Sequence, residues 1–187
     1  MTIRMATPAD VPAMFEVRTS VRENQMSLLE LAAVGITPAT LPGMLTGSGR
    51  GWVACDGDQV VAFAMAEAGD ATIFALFVRQ SHEGRGLGRR LMQAAECWLS
   101  AEGCTEVWLL TDADLRVRAN GFYRHLGWME DGIQEEGEMR FKKCFYAAIP
   151  QRLRTPSGPS CRCASTGSAH AGWGRCGRRG EPRSRFR

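Results

Sequence analysis

Residues 78–99 read V-R-Q-S-H-E-G-R-G-L-G-R-R-L-M-Q-A-A-E-C-W-L, and this stretch sets the expected fold. A β-branched and aromatic run (Ile73, Phe74, Leu76, Phe77, Val78) leads into it. Three glycines follow at alternate positions, Gly84, Gly86 and Gly88, and apolar residues then recur at helical spacing. The reading is a strand, a glycine turn and a helix over Arg85–Ala101. Backbone N–H groups without an intervening Cβ can converge on an anion there, and the helix N-terminus adds partial positive charge. Arg85, Arg89 and Arg90 add full charges around the same point, so a pyrophosphate suits the turn. A P-loop needs G-x-x-x-x-G-K-[ST], and the chain has no Lys-Ser or Lys-Thr pair. A dinucleotide fingerprint needs G-x-G-x-x-G, and Arg89 stands where its third glycine would fall.

The run E-G-R-G-L-G, from Glu83 to Gly88, resembles motif A of the GNAT superfamily of N-acetyltransferases, [Q/R]-x-x-G-x-[G/A], with Glu83 where Gln or Arg is usual. Backbone amides do most of the phosphate work in such a turn, so Glu83 is expected to point outward. A second stretch, R-A-N-G-F-Y-R-H-L-G-W over 118–128, resembles motif B of the same superfamily. Ala119, Phe122, Tyr123, Gly127 and Trp128 match it, and Arg116 sits where Asn is common. The resemblance covers roughly residues 2–145 and implies a GNAT-like α/β (mixed α+β) fold. Its central sheet is mixed and mostly antiparallel, flanked by helices, with two parallel strands splaying apart to admit a pantetheine arm.

What the resemblance implies for chemistry is an N-acetyltransferase that takes acetyl-CoA (coenzyme A as carrier) as co-substrate, uses no metal, and acetylates a primary amine of a small molecule or peptide. Transfer is by direct attack in a ternary complex. The implied cofactor-binding residues are Leu76, Phe77, Val78, Glu83, Gly84, Arg85, Gly86, Leu87, Gly88, Arg89 and Tyr123. Tyr123 is also the implied general acid for the leaving thiolate, against the alternative of a packing partner for Phe122. An N–H near Val78 is the implied donor to the thioester oxygen. The base is not legible: Glu23, Glu67, Asp70 and Asp112 are candidates near element ends, each also readable as a solvated carboxylate. Glu23, with Arg18, Ser20 and Asn24, falls where the family lines its acceptor pocket. A non-catalytic acetyl-CoA sensor would need the glycine turn but not Tyr123, so the tyrosine favours an enzyme.

Charge divides the 187 residues in two: residues 1–149 carry 14 Lys and Arg against 19 Asp and Glu, and residues 150–187 carry nine Arg and one Glu. In that second segment Arg, Gly, Ser and Pro make up 24 of 38 residues, and Leu153 is its one aliphatic residue of the Leu, Ile, Val, Met set. Such a composition cannot offset its ordering entropy, so 1–149 is the expected domain and 150–187 an expected disordered tail, an appendage or a reading-frame artefact. A basic arm for nucleic acid is the tail's functional alternative, disfavoured because aromatics are nearly absent from it. Cys161, Cys163, His170 and Cys176 lack the paired spacing of a zinc site, and the other cysteines read as small apolar residues. No targeting signal opens the chain, and the uncharged stretch 31–49 has two prolines and four glycines, so a cytoplasmic protein with no membrane span is expected. A homodimer is the family expectation.

The other expected elements follow in order. Thr2–Ala6 is a strand, Thr7-Pro8-Ala9-Asp10 a helix start, and Thr37-Pro38 a second start ended by the Gly/Ser run 43–51. Strands at 52–55 and 60–66 form a hairpin about Asp56-Gly57-Asp58, and 71–78 completes a meander. A buried parallel strand at 107–110, a helix at 115–126, and strands at 128–133 and 139–145 close the domain.

Overall fold

The computed structural model describes residues 1–21, 26–114, 116–134 and 137–145. Seven strands form one sheet in the order β1-β2-β3-β4-β5-β7-β6: β1 Thr2–Met5, β2 Gly49–Asp56, β3 Gln59–Glu67, β4 Thr72–Val78, β5 Glu106–Asp112, β6 Met129–Ile133 and β7 Glu138–Cys144. Every pairing is antiparallel except β4 with β5. Helices α1 (Val11–Ser20), α2 (Leu28–Ala33) and α3 (Leu41–Thr46) cover one face, and α4 (Leu87–Ala101) and α5 (Arg118–His125) the other.

Alternation along β3 explains why both faces can be covered. Ala62, Ala64 and Ala66 face α4 and give it a flat bed, whereas Phe63 and Met65 fill the core under α1. Leu91, Met92 and Leu99 of α4 are fully buried on that bed, each burial stabilising by roughly 1.5–3 kcal/mol. The entry to α1 is locked by Asp10, whose carboxylate accepts from Thr7 N and Oγ1 (both 2.8 Å) and from two Arg4 nitrogens (both 2.7 Å). Those donors hold its carboxyl well below the usual carboxylate range.

Four expectations are corrected. First, α4 begins at Leu87, not Arg85, because Gly86 sits in the left-handed region (φ 75°) and cannot continue a right-handed helix. Second, Gly49 and Gly51 belong to β2 rather than to a loop. A Cβ at Gly49 would lie 2.3 Å from the Met44 carbonyl, and one at Gly51 2.5 Å from Leu45 Cδ2, so α3 packs directly on these glycines. Third, the sequence reading placed nothing at α2, although Ser27 and Glu30 form a capping box there (Glu30 N to Ser27 Oγ 3.3 Å; Ser27 N to Glu30 Oε2 2.7 Å). Fourth, α5 starts at Arg118 rather than 115. The segment 150–187, its zinc alternative and its nucleic-acid alternative lie outside the described residues, as do Glu23 and Asn24.

Candidate active site

The two parallel strands meet at one place only. Thr72 is in register with Trp108, with Trp108 N donating to Ala71 O (3.0 Å) and Thr72 Oγ1 to Trp108 O (3.0 Å). Beyond that point β5 is taken by β7 on its other side, and β4 and β5 splay apart. A bulge lies beside the splay: Ile73 pairs with Ala66 and Ala75 with Met65, so Phe74 is an extra residue. Phe74 and Ala75 consequently face the same side, toward α1. The splay opens a cleft of about 770 Å³, within the range of about 300–1,000 Å³ usual for small-molecule sites.

One wall is the free edge of β4. Arg79 N donates to Val61 O (2.8 Å), and alternation turns the peptide groups of Phe77 toward β3 as well. The N–H and C=O groups of Leu76 and Val78 therefore point the other way, into the gap. Phe77 contributes its ring instead, which stacks under the Arg18 guanidinium at 4.4 Å.

The glycine turn forms the rim. Gly84 and Gly86 both have positive φ (70° and 75°), and an added Cβ would meet nothing within 4 Å at either, so the turn is open to a ligand. Leu87, Gly88 and Arg89 open α4, and their N–H groups have no intrahelical acceptor. Gly88 serves packing: its Cβ would approach Phe122 Cζ to 3.3 Å, so only glycine lets α4 and α5 meet here without displacement. Glu83 does not turn outward as expected. Its Oε2 accepts from Arg118 Nη2 at 2.8 Å across the cleft. Ser81 Oγ and His82 Nδ1 (2.8 Å), and His82 Nε2 and Asp56 (3.2 Å), tie the turn to the β2–β3 hairpin.

Tyr123 projects from α5 into the far wall. Its ring packs against Phe122, Trp128 and Phe141 at centroid distances of 5.3, 6.3 and 5.7 Å. The residue is 8% exposed, and burial raises its pKa to about 12. No described residue hydrogen-bonds its hydroxyl, and Tyr123 lines the cleft. Behind it, the buried Asn120 donates from Nδ2 to the Asp112 and Asp114 carbonyls (both 2.9 Å), fixing the β5–α5 turn.

Residues 26–128 match the family model described as Acetyltransferase (GNAT) family, more than half of the chain. This chain belongs to the GNAT acetyltransferase family. The GNAT fold is seen equally in solved structures. The PaiA N-acetyltransferase of Thermoplasma acidophilum, in complex with coenzyme A, superposes at TM-score 0.65 with 14% identity, over 78% of this chain and 100% of its own. The ribosomal-protein-S18-alanine N-acetyltransferase of Escherichia coli gives 0.62 and 18%, over 81% and 98%. An aminoglycoside 6′-N-acetyltransferase complexed with coenzyme A gives 0.62 and 19%, over 77% and 97%.

Within this GNAT cleft the expected residues separate. Leu76, Phe77, Val78, Glu83, Gly84, Gly86, Leu87, Gly88, Arg89 and Tyr123 all line it. Arg85 does not; its guanidinium folds back on Ser81 O (3.1 Å). Among the carboxylates proposed as base, Asp112 lines the cleft, whereas Glu67 and Asp70 sit at the β3–β4 turn, at the closed end of the splay. The sequence reading missed Arg118, Thr111 and Val21 as lining residues, since only the splay brings them there. At the C-terminal end of α1 the buried charge is a cation: Arg18 is 6% exposed, and desolvation pushes its pKa down against the opposing pull of Glu30. Ser20 turns away, its Oγ donating to Val17 O (2.8 Å). Among the described residues no helix is long and apolar enough to cross a membrane, and no group of three or more His, Cys, Asp and Glu could hold a metal.

Proposed function

We propose that this GNAT domain transfers the acetyl group of acetyl-CoA to a primary amine. The observation that carries the reading is the splay of β4 from β5, which leaves a cleft running between an open glycine turn and the hydroxyl of a buried tyrosine. The residues present fit such a donor. Leu76 and Val78 offer main-chain groups to a pantetheine arm as an added strand would, and the first-turn N–H groups of α4 with Arg89 offer donors to a pyrophosphate. Amine acceptors agree with the names of two fold neighbours, an alanine and an aminoglycoside N-acetyltransferase.

Bound there, acetyl-CoA supplies an activated thioester. The chain's own part begins with protonation: an amine of pKa about 10.4 is charged at neutral pH, which adds roughly 4–5 kcal/mol to the barrier unless its proton is removed. Of the two carboxylates that line the cleft, Glu83 is held by Arg118, and Asp112, whose Oδ1 also accepts from Asp114 N (2.8 Å), is assigned to take that proton, directly or through water. Val78 N–H, which faces the gap, is assigned as the donor to the thioester oxygen. As the C–N bond forms and the C–S bond breaks, Tyr123 donates its hydroxyl proton toward the departing sulfur. At a pKa of about 12 the phenol is a weaker acid than an ordinary thiol near 8.5, but the same desolvation makes the sulfur more basic. Tyr123 is thus assigned chiefly as a hydrogen-bond donor to developing thiolate charge.

Thermal unfolding of the full chain with acetyl-CoA, ATP and NAD tests the reading. A rise in Tm selective for acetyl-CoA is expected, because a ligand at 100 times its Kd stabilises by about 2.7 kcal/mol. No shift, or an equal one from ATP, would return the cleft to an unassigned site.

A further inference from the structure

Glu83 and Arg118 are 35 positions apart in sequence and meet at 2.8 Å from opposite lips of the cleft, one on the glycine turn and the other at the start of α5. The pair occupies an odd place. An acidic side chain beside a turn that collects N–H donors repels the polyanion such a turn would hold, and at this position of the motif Gln or Arg is usual. A carboxylate and a phosphate nevertheless present an arginine fork with the same thing, two anionic oxygens at hydrogen-bond distance.

We infer that Glu83 is an internal stand-in for phosphate: it holds Arg118 over the glycine turn in the free protein and yields it to the phosphate groups of the acyl donor on binding. Three observations support the exchange. Both side chains line the cleft, so the ligand reaches the pair directly. Both are partly exposed, 67% for Arg118 and 32% for Glu83, so the pair is weak enough to be displaced. Finally, the two phosphates of a pyrophosphate together carry more charge and more acceptor oxygens than one carboxylate, so they win the guanidinium once bound. Arg118 is then a donor-selecting residue for the nucleotide end of the ligand, and Glu83 a positioning residue that sets its availability. The inference rests on the acetyl-CoA reading.

The test is isothermal titration of coenzyme A into the full wild-type chain and into E83Q, R118Q and the double variant, at low and at 1 M salt. At low salt E83Q should bind coenzyme A about two- to fivefold more tightly, the range set by an exposed ion pair. R118Q should bind it about fivefold or more weakly, and adding E83Q to R118Q should give a smaller gain than E83Q gives in the wild type, the remainder being direct repulsion. The E83Q gain should fade at 1 M salt, where the Debye length is about 3 Å. Weaker or unchanged binding by E83Q overturns the inference. So does an equal gain in the R118Q background, which would mean that direct repulsion of phosphate by Glu83 accounts for the whole effect, or a gain that persists undiminished in 1 M salt, which would mean a change of shape. In each of those cases the wild-type chain still binds coenzyme A and the acetyl-CoA reading stands. A wild-type chain that fails to bind coenzyme A overturns that reading and this inference together.

Discussion

Replacing Tyr123 with phenylalanine removes one oxygen from a ring that three other aromatic side chains already hold in place. The hydroxyl has no hydrogen-bond partner among the described residues, so its loss leaves no orphaned donor or acceptor behind. Folding stability at neutral pH should therefore change by less than about 0.5 kcal/mol. Catalysis should change much more. A hydrogen bond to a charged group contributes about 1.5–3 kcal/mol, which converts to roughly 10–150-fold in kcat. The KM for acetyl-CoA should stay within about twofold, because the bond is made to charge that develops only as sulfur departs. The alkaline limb supplies a second readout. Burial raises the phenol from 10.0 to about 12, so its stabilising contribution is complete below pH 10 and is lost as pH rises toward 12. The wild-type chain should lose roughly 2–3 kcal/mol from this group over that interval, and the phenylalanine variant should not. Steady-state kinetics paired with denaturant unfolding at pH 7, 10 and 11.5 would measure both. Full turnover by the variant, or a fall in kcat matched by a fall in Tm, would refute the assignment.

Other perturbations probe the frame. Gly86→Ala forces a Cβ into the left-handed region and should cost about 1–2 kcal/mol while weakening acetyl-CoA binding, read by unfolding and titration together. Gly88→Val should be worse, since even a Cβ comes within 3.3 Å of Phe122 Cζ; an unchanged Tm would show that α5 can retreat. Glu96 accepts from Trp128 Nε1 and Lys143 Nζ (both 2.8 Å), joining α4 to the far end of the sheet. Glu96→Ala should destabilise by about 2–4 kcal/mol in urea unfolding with no selective effect on the acetyl-CoA KM. Asp10→Asn should remove the Arg4 ion pair and lower stability at pH 7 by about 1–3 kcal/mol. Asp10's carboxyl is depressed, so that stabilisation is present above about pH 4 and lost as pH falls below it, and an acid titration of Tm should show the two proteins converging.

Much of the fold and part of the site are local consequences of residue order, and these were legible. The alternation in β3, the glycine turn before α4, the Thr7-Pro8 start and the Asp56–Gln59 hairpin each depend on neighbours a few positions away, where steric and hydrogen-bonding rules act on the chain directly. The motif around Tyr123 was legible for the same reason, since Ala119, Phe122 and Tyr123 share one helical turn. What tertiary structure alone decided is what two distant segments do to one another. Gly49 and Gly51 read as loop until α3 packs on them. Strand β7 lies between β5 and β6, antiparallel to both, a choice among partners that no single strand encodes. The contact of β4 with β5 at Thr72 alone opens the cleft, brings Arg118 to Glu83 and leaves Glu67 and Asp70 at the closed end. Side-chain identity limits what each segment can bury, but the gap between two strands exists only once both have been placed.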